Sequence, residues 1–313
     1  MSHGFLADLL RCPDHPEASL EPHEQGWTCS ACEHTYSQRD GLIDLLSPNS
    51  LFPPEFRERE TAQWDAQAEA YELERTRDEI YMACIRATAR ALHPRPGELI
   101  LDAGCGTGLT MRQYWQTGMQ AVAMDLSSAS LSVCRRQGPP VGVLPVRGDL
   151  TQLPFADGVF DRAICANAIQ QIPHTGLRQR AFAELARVVK PGGRVVISVH
   201  NFSRAKQKAG WKRENNRAGS PSGEIQYIYR HDAAELRERL SPHFEIESIG
   251  GAGVPLPYRM GLSPLSRWVE RMLQRSRYAA IHGHMLIATC RRPLRSVAAT
   301  IPAADSAKLH QLV

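Results

Sequence analysis

Between residues 99 and 201 the chain alternates short, nearly unbroken apolar runs with stretches of helical period, which predicts buried parallel strands joined by helices. The runs LILDA (99–103), AVAMD (121–125), LPVRGD (144–149), FDRAICAN (160–167) and RVVISVHN (194–201) supply five strands. The turn Lys190-Pro191-Gly192-Gly193 ends a helix and opens the fifth. Further on, IQYIY reads as a short strand, followed by a helix beginning near His231 or Asp232. HFEIESIGG and HGHMLIATC then read as sixth and seventh sheet strands, with a helix over about 264–277 carrying Arg267, Trp268, Arg271 and Met272 between them. The expected fold is α/β, a doubly wound, Rossmann-like sheet of seven strands. Ahead of it, Trp64, Ala68 and Tyr71 fall at i, i+4 and i+7, one face of a helix. Prolines 48, 53 and 54 mark a linker. The expected division is a small module at 1–47, a linker at 48–60, the α/β domain at 61–292 and a flexible tail at 293–313.

Glycines at 104, 106 and 108, placed directly after Asp102, make a ligand loop, because each removes a Cβ where backbone turns sharply or meets a ligand. A dinucleotide fingerprint, G-x-G-x-x-G, needs glycine at 109, where this chain has Leu109. Asp125 ends the second strand 21 residues after Gly104, where a carboxylate accepts ribose hydroxyls in α/β nucleotide folds.

The pattern D-x-G-x-G-x-G, with Asp125, Asp149, Asn167 and the Lys-Pro-Gly-Gly turn in order, resembles class I S-adenosylmethionine (SAM) methyltransferases, and within them the ubiquinone and menaquinone methyltransferase group. The likeness covers roughly residues 60–200. It implies SAM as cofactor, with contacts from Asp102, Gly104, Cys105, Gly106, Gly108, Asp125, Leu126, Asp149, Leu150 and Asn167, and from Tyr71 on the preceding helix. Asp149 and the Leu150 N–H correspond to the family's adenine contacts, and Asn167 points to the transferred methyl. A small or lipid-like metabolite is the expected acceptor.

The first 47 residues carry different chemistry. Cys12-Pro-Asp-His15 and Cys29-Ser-Ala-Cys32 are two knuckles thirteen residues apart, and a Cys3His set at tetrahedral geometry suits a structural Zn²⁺. A module this small buries too little core to fold alone, so the ion would supply folding energy. Its flanks resemble bacterial zinc-ribbon proteins related to the activator subunit of tRNA, rRNA and protein methyltransferases, in which the fourth ligand is cysteine rather than His15; His34 is an alternative ligand. The fused arrangement also resembles rRNA guanine-N1 methyltransferases, which suggests a protein partner through the ribbon or an RNA acceptor as alternative readings, and a non-catalytic adaptor as a third.

The formal charge of +4 is too small to mark the whole chain as a nucleic-acid binder, but residues 204–217 concentrate Arg204, Lys206, Lys208, Lys212 and Arg213 around Trp211. The remaining five of eight cysteines are scattered and read as reduced thiols. The N-terminus lacks the pattern of a secretory signal and no apolar run reaches a membrane span, so a cytoplasmic protein without integral membrane association is expected. No catalytic residue is assigned from sequence. Should the acceptor be a hydroxyl or amine, His174 leads the candidate bases, ahead of His200, Tyr227, Tyr229 and His231.

Overall fold

A computed structural model describes residues 3–116, 118–138, 142–218, 225–254, 268–269, 271–274 and 276–294. The N-terminal module comprises α1 (His3–Leu9) and a meander of four short strands, β1 (Leu20–His23), β2 (Gly26–Cys29), β3 (Thr35–Arg39) and β4 (Leu42–Asp44). Two helices follow, α2 (Pro54–Arg77) and α3 (Glu79–Leu92). Pro54 sits in the first turn of α2, where its missing N–H costs nothing, so the segment expected as a linker at 48–60 turns helical well before its end.

The α/β domain contains β5 (Leu99–Ala103), α4 (Leu109–Tyr114), β6 (Gln120–Asp125), α5 (Ser128–Gln137), β7 (Val143–Arg147), β8 (Phe160–Ala166), α6 (Thr175–Val188) and β9 (Val189–His200). After it come α7 (Arg204–Lys208), the hairpin of β10 (Glu214–Ala218) and β11 (Ile225–Tyr229), α8 (Ala233–Leu240), β12 (Glu245–Ala252), α9 (Arg277–His282) and β13 (Met285–Arg291). Asp232 caps α8 by accepting the N–H groups of Ala234 and Glu235, which places the helix start where the sequence put it.

The seven expected strands pair in the order β7-β6-β5-β8-β9-β13-β12; β5 to β9 run parallel and β13 lies antiparallel between β9 and β12. Because side chains alternate across a strand, Leu101, Val122, Ala163 and Val195 enter the core on one face, while Ile100, Ala121, Ile164 and Val196 enter that on the other. The strand order reverses beside β5 and β8, and the crevice at their C-terminal ends is where open α/β sheets bind ligands.

The N-terminal module is not a bead on a string. β4 pairs parallel with β7, Ile43 opposite Val146 and Asp44 opposite Arg147, so the meander extends the sheet to eleven strands. The Asp44 carboxylate and Arg147 guanidinium lie 3.0 Å apart, and Leu45 N–H donates to Arg147 O at 2.9 Å. Leu9, Trp27 and Ile43 share a core with Val122, Val146 and Phe155. A small module thereby gains the buried apolar surface its own size denies it.

Of the helix expected over 264–277, residues 268–269, 271–274 and 276–277 are described, and Trp268 and Met272 are exposed there. The expected tail lies outside the described residues beyond 294. Among the described residues, no helix is long and apolar enough to cross a membrane.

Candidate functional site

The loops after β5, β6, β7 and β8 converge on a cavity roofed by α2, at the C-terminal ends of the strands. Nine of the eleven residues expected from sequence line it: Gly104, Cys105 and Gly106 after β5, Asp125 and Leu126 after β6, Asp149 and Leu150 after β7, Asn167 after β8, and Tyr71 from α2. The other two lie outside its wall. Asp102 is fully buried beneath the loop, where Oδ2 accepts the Tyr114 hydroxyl at 3.0 Å, and burial lifts its pKa to about 7. Gly108 caps α4 and packs on Cys134, whose Sγ would stand 2.7 Å from a Cβ at 108.

The loop glycines answer to different demands. Gly104 has φ +73° and a Cβ there would fall 2.5 Å from the Ala168 Cβ, a steric conflict inside the fold. Gly106, at φ +53°, would direct its Cβ into open space within 4 Å of nothing, so side-chain volume there intrudes on the cavity rather than on the protein.

Two carboxylates are held by donors and keep oxygen lone pairs to spare. Asp125 accepts Gly106 N–H through Oδ2 at 2.8 Å and Ser127 N–H through Oδ1 at 2.9 Å. Asp149 takes the N–H and hydroxyl of Thr151 on Oδ1, both at 2.7 Å. Burial raises both pKa values, against the pull of these hydrogen bonds. Such a wall suits a ligand presenting hydroxyls, an amine and an ammonium.

Helix α2 is pinned at two points. Asp65 accepts the Ser127 hydroxyl at 2.6 Å and Ala129 N–H at 3.0 Å, at the start of α5. Glu72 accepts the Thr107 hydroxyl at 2.5 Å and pairs with Arg112. Near its end the Tyr71 and Tyr81 hydroxyls meet at 2.5 Å, Asn167 Nδ2 donates to Tyr81 at 3.3 Å, and the Arg75 guanidinium lies over both rings. Asn167 sits at φ +60°, a conformation with a steric cost outside glycine.

Sequence reading missed Phe52, Phe56, Arg57 and Glu60, all on the cavity wall, because they fall in the stretch assigned as linker. It also missed Tyr81, whose apolar neighbours on α3 mark it only as core. Conversely, none of the candidate bases lines the cavity. Tyr227 donates to Glu214 at 2.8 Å, Tyr229 donates to Glu235 at 2.6 Å, and His231 is buried edge-on against Tyr229 with its pKa lowered by burial to about 3. His200 faces His284 with ring centroids 5.1 Å apart, and His174 stands at the start of α6 without a side-chain capping bond.

The basic segment is partly spent within the fold. Lys206 Nζ donates to Asn201 O at 3.0 Å and His284 O at 3.2 Å, and Arg213 pairs with Asp232 at 2.7 Å and with Glu235.

In the N-terminal module, the ligand atoms of Cys12, His15, Cys29 and Cys32 all lie within 4.8 Å of one another. Cys12 Sγ is 4.0 Å from Cys32 Sγ and 3.8 Å from His15 Nδ1, close to the ~3.8 Å edge of a tetrahedron with metal–sulfur distances of about 2.3 Å. His34 is exposed and stacks edge-on against Tyr36, so His15 completes the cluster.

A family model described as a methyltransferase domain matches residues 101–197. The chain is 33% identical over 141 residues to a demethylmenaquinone methyltransferase of Renibacterium salmoninarum, covering 44% of this chain and 56% of that protein. It spans about half the length of the curated relatives it matches. Among solved structures, it resembles a chain in the complex between the Haloferax volcanii Trm112 methyltransferase activator and a methyltransferase, with TM-score 0.52 at 20% identity over 74% of this chain and 98% of that one. It also resembles the Burkholderia thailandensis 1,6-didemethyltoxoflavin-N1-methyltransferase bound to its substrate and S-adenosylhomocysteine, with TM-score 0.51 at 18% identity over 87% and 99%. The central part of this chain is thus a methyltransferase domain, carried on the class I SAM-dependent methyltransferase fold.

Proposed function

We propose that the chain is a SAM-dependent methyltransferase acting on a small, lipid-like acceptor. The observation that carries this reading is the convergence of Gly104, Gly106, Asp125, Asp149, Asn167 and Tyr71, from four strand ends and one helix, on a single cavity. The residues fit the cofactor: Asp125 for the ribose hydroxyls, Asp149 for the adenine amine, Leu126 and Leu150 for the apolar faces of the base, and the glycine loop for the methionyl end. When bound, SAM supplies an electrophilic methyl on a sulfonium. The protein's task is then positioning, which for an oriented pair of reactants removes much of the barrier. Helix α2, held by Asp65 and Glu72, roofs the cavity, and Tyr71, Tyr81 and Asn167 form the wall nearest the reacting end.

The Cys12, His15, Cys29 and Cys32 cluster is read as a structural Zn²⁺ site that holds β1 to β4 together, so that β4 can cover the edge of β7. None of the eight cysteines is paired in a disulfide, which suits a cytoplasmic setting. A translation-linked acceptor, with the module as a built-in activator, is the second reading, favoured by the likeness to a methyltransferase solved with Trm112. The commitment of Lys206 and Arg213 within the fold weighs against a broad RNA footprint.

Calorimetric titration with SAM and S-adenosylhomocysteine, on protein first assayed for zinc, tests the central claim. Micromolar binding is expected. Folded, metal-loaded protein that binds neither would leave the adaptor reading in its place.

A further inference from the structure

Three thiolates and a neutral imidazole around Zn²⁺ leave one net negative charge, which is costly to bury unless the sulfurs meet hydrogen-bond donors. Two of the sulfurs in the N-terminal module are shut off from solvent: Cys12 is 0% exposed and Cys29 1%, whereas Cys32 is exposed. The buried pair therefore depends on donors from the protein, and each has one. The Ala31 N–H donates to Cys29 Sγ at 3.3 Å, within the Cys29-Ser-Ala-Cys32 knuckle. Cys12 Sγ has the Tyr36 hydroxyl at 3.2 Å, nearer than His15 Nδ1 at 3.8 Å or Cys32 Sγ at 4.0 Å.

Tyr36 is held firmly in that position. It lies on β3, whose alternation turns it inward between the exposed Thr35 and the half-buried Ser37. The side chain is buried in the core shared by Leu9, Trp27 and Ile43, and its backbone stands opposite Trp27 in the pairing of β2 with β3. His34 packs edge-on against the ring, with centroids 4.7 Å apart. Packing thus fixes the ring, and the hydroxyl reaches Cys12 with little freedom left to lose. The oxygen itself adds nothing to an apolar core, and a buried phenol needs a hydrogen-bond partner.

We propose that Tyr36 is a positioning residue of the metal centre, its hydroxyl donating to the Cys12 thiolate and so setting how tightly the Cys12, His15, Cys29 and Cys32 cluster holds its ion. The inference rests on the zinc reading of the module and adds a residue that lies outside both knuckles, four positions after Cys32. A metal-bound thiolate carries no proton, so between these two atoms the hydroxyl is the donor. Such a charge-assisted bond is roughly twice as strong as one between neutral groups. It draws negative charge off one sulfur and orients Cys12, as partners behind the ligands of metal sites do. With Ala31 N–H on Cys29 and solvent at Cys32, all three sulfurs are then provided for. Among these donors Tyr36 is the side chain, and hence the one that substitution can remove.

The test compares the full chain with Tyr36→Phe, which removes the oxygen and keeps the ring. Zinc affinity is measured by competition with a chromophoric chelator, and the variant should bind about 10- to 100-fold more weakly. Both proteins are then loaded with Co²⁺. The sulfur-to-metal charge-transfer band of the variant should move to longer wavelength, because a thiolate relieved of its hydrogen bond gives up electron density more readily. A role confined to ring packing would move neither readout. A further measurement needs no variant: in wild type loaded with NMR-active cadmium, the Tyr36 hydroxyl proton should be shielded from exchange and coupled to the metal through the Cys12 sulfur. Wild type that takes up none of these ions would sink the zinc reading itself. Wild type that binds zinc, beside a Tyr36→Phe variant that matches it within about twofold and shows the same cobalt band, would overturn the proposal, as would cadmium-loaded wild type without that coupling.

Discussion

Asp125 Oδ2 accepts the Gly106 N–H at 2.8 Å, so the carboxylate that ends β6 and the loop that follows β5 form one hydrogen-bonded unit. Replacing Asp125 with Ala removes both the carboxylate proposed for the cofactor hydroxyls and the partner of two backbone N–H groups. SAM affinity should fall about tenfold or more, and stability by roughly 1–3 kcal/mol. Calorimetry and thermal melting measure the two effects separately; wild-type affinity in a folded variant would remove the ribose assignment.

Gly104 and Gly106 should separate stability from binding. Gly104→Ala meets Ala168 at 2.5 Å and is expected to lower the melting temperature markedly. Gly106→Ala bears only the strain of a positive φ, about 1 kcal/mol, yet its methyl enters the cavity and should weaken S-adenosylhomocysteine binding by an order of magnitude. Equal effects of the two substitutions on both properties would contradict the geometry.

Asp102 makes stability depend on pH. Its pKa rises from 3.8 to about 7 on folding, chiefly through burial, so the native state binds the extra proton between those values and stability falls as pH climbs from about 4 to about 7. The full effect is at most roughly 4 kcal/mol. Asp102→Asn, which keeps an oxygen for the Tyr114 hydroxyl, should flatten this slope and exceed wild type in melting temperature at pH 8. Parallel melting curves across pH would show that Asp102 does not titrate there.

Removal of metal should reach beyond the module. Because Leu9, Trp27 and Ile43 share a core with Val122 and Val146, chelation or Cys29→Ser is expected to lower the melting temperature of the whole cooperative unit, rather than to release a separate early transition. Differential scanning calorimetry with and without chelator distinguishes the two outcomes, and an unaltered trace would refute the zinc claim.

What the sequence made legible follows from where local pattern and global role coincide. Strands β5, β6, β8 and β9 are covered on both faces, so their apolar runs announce them, and ligand loops lie where those runs stop at Asp125, Asp149 or Asn167. Helix α2 was misread in part because its buried row, Glu60, Gln63, Gln67 and Glu72, is polar and looks in sequence like a solvated surface. Trp64 and Tyr71, the residues that gave the helix its apparent apolar stripe, are only half-buried. The pairing of Ile43 with Val146 left no local trace, since it joins positions about a hundred residues apart. The Cys12-x-x-His15 spacing was legible, and in the fold His15 stands with the three cysteines while His34 is exposed.

That distant pairing has a consequence for the protein's solubility. Without β4, the β7 strand would stand as a terminal parallel strand offering unpaired N–H and C=O groups to any chain that approached, the template from which edge-to-edge aggregation starts. The meander replaces that five-residue edge with β1, four residues long, in which three of four side chains are exposed and polar or proline: Glu21, Pro22 and His23. A Pro and a charge on a short outer strand discourage further pairing, so the N-terminal module also acts as a guard against self-association of the sheet.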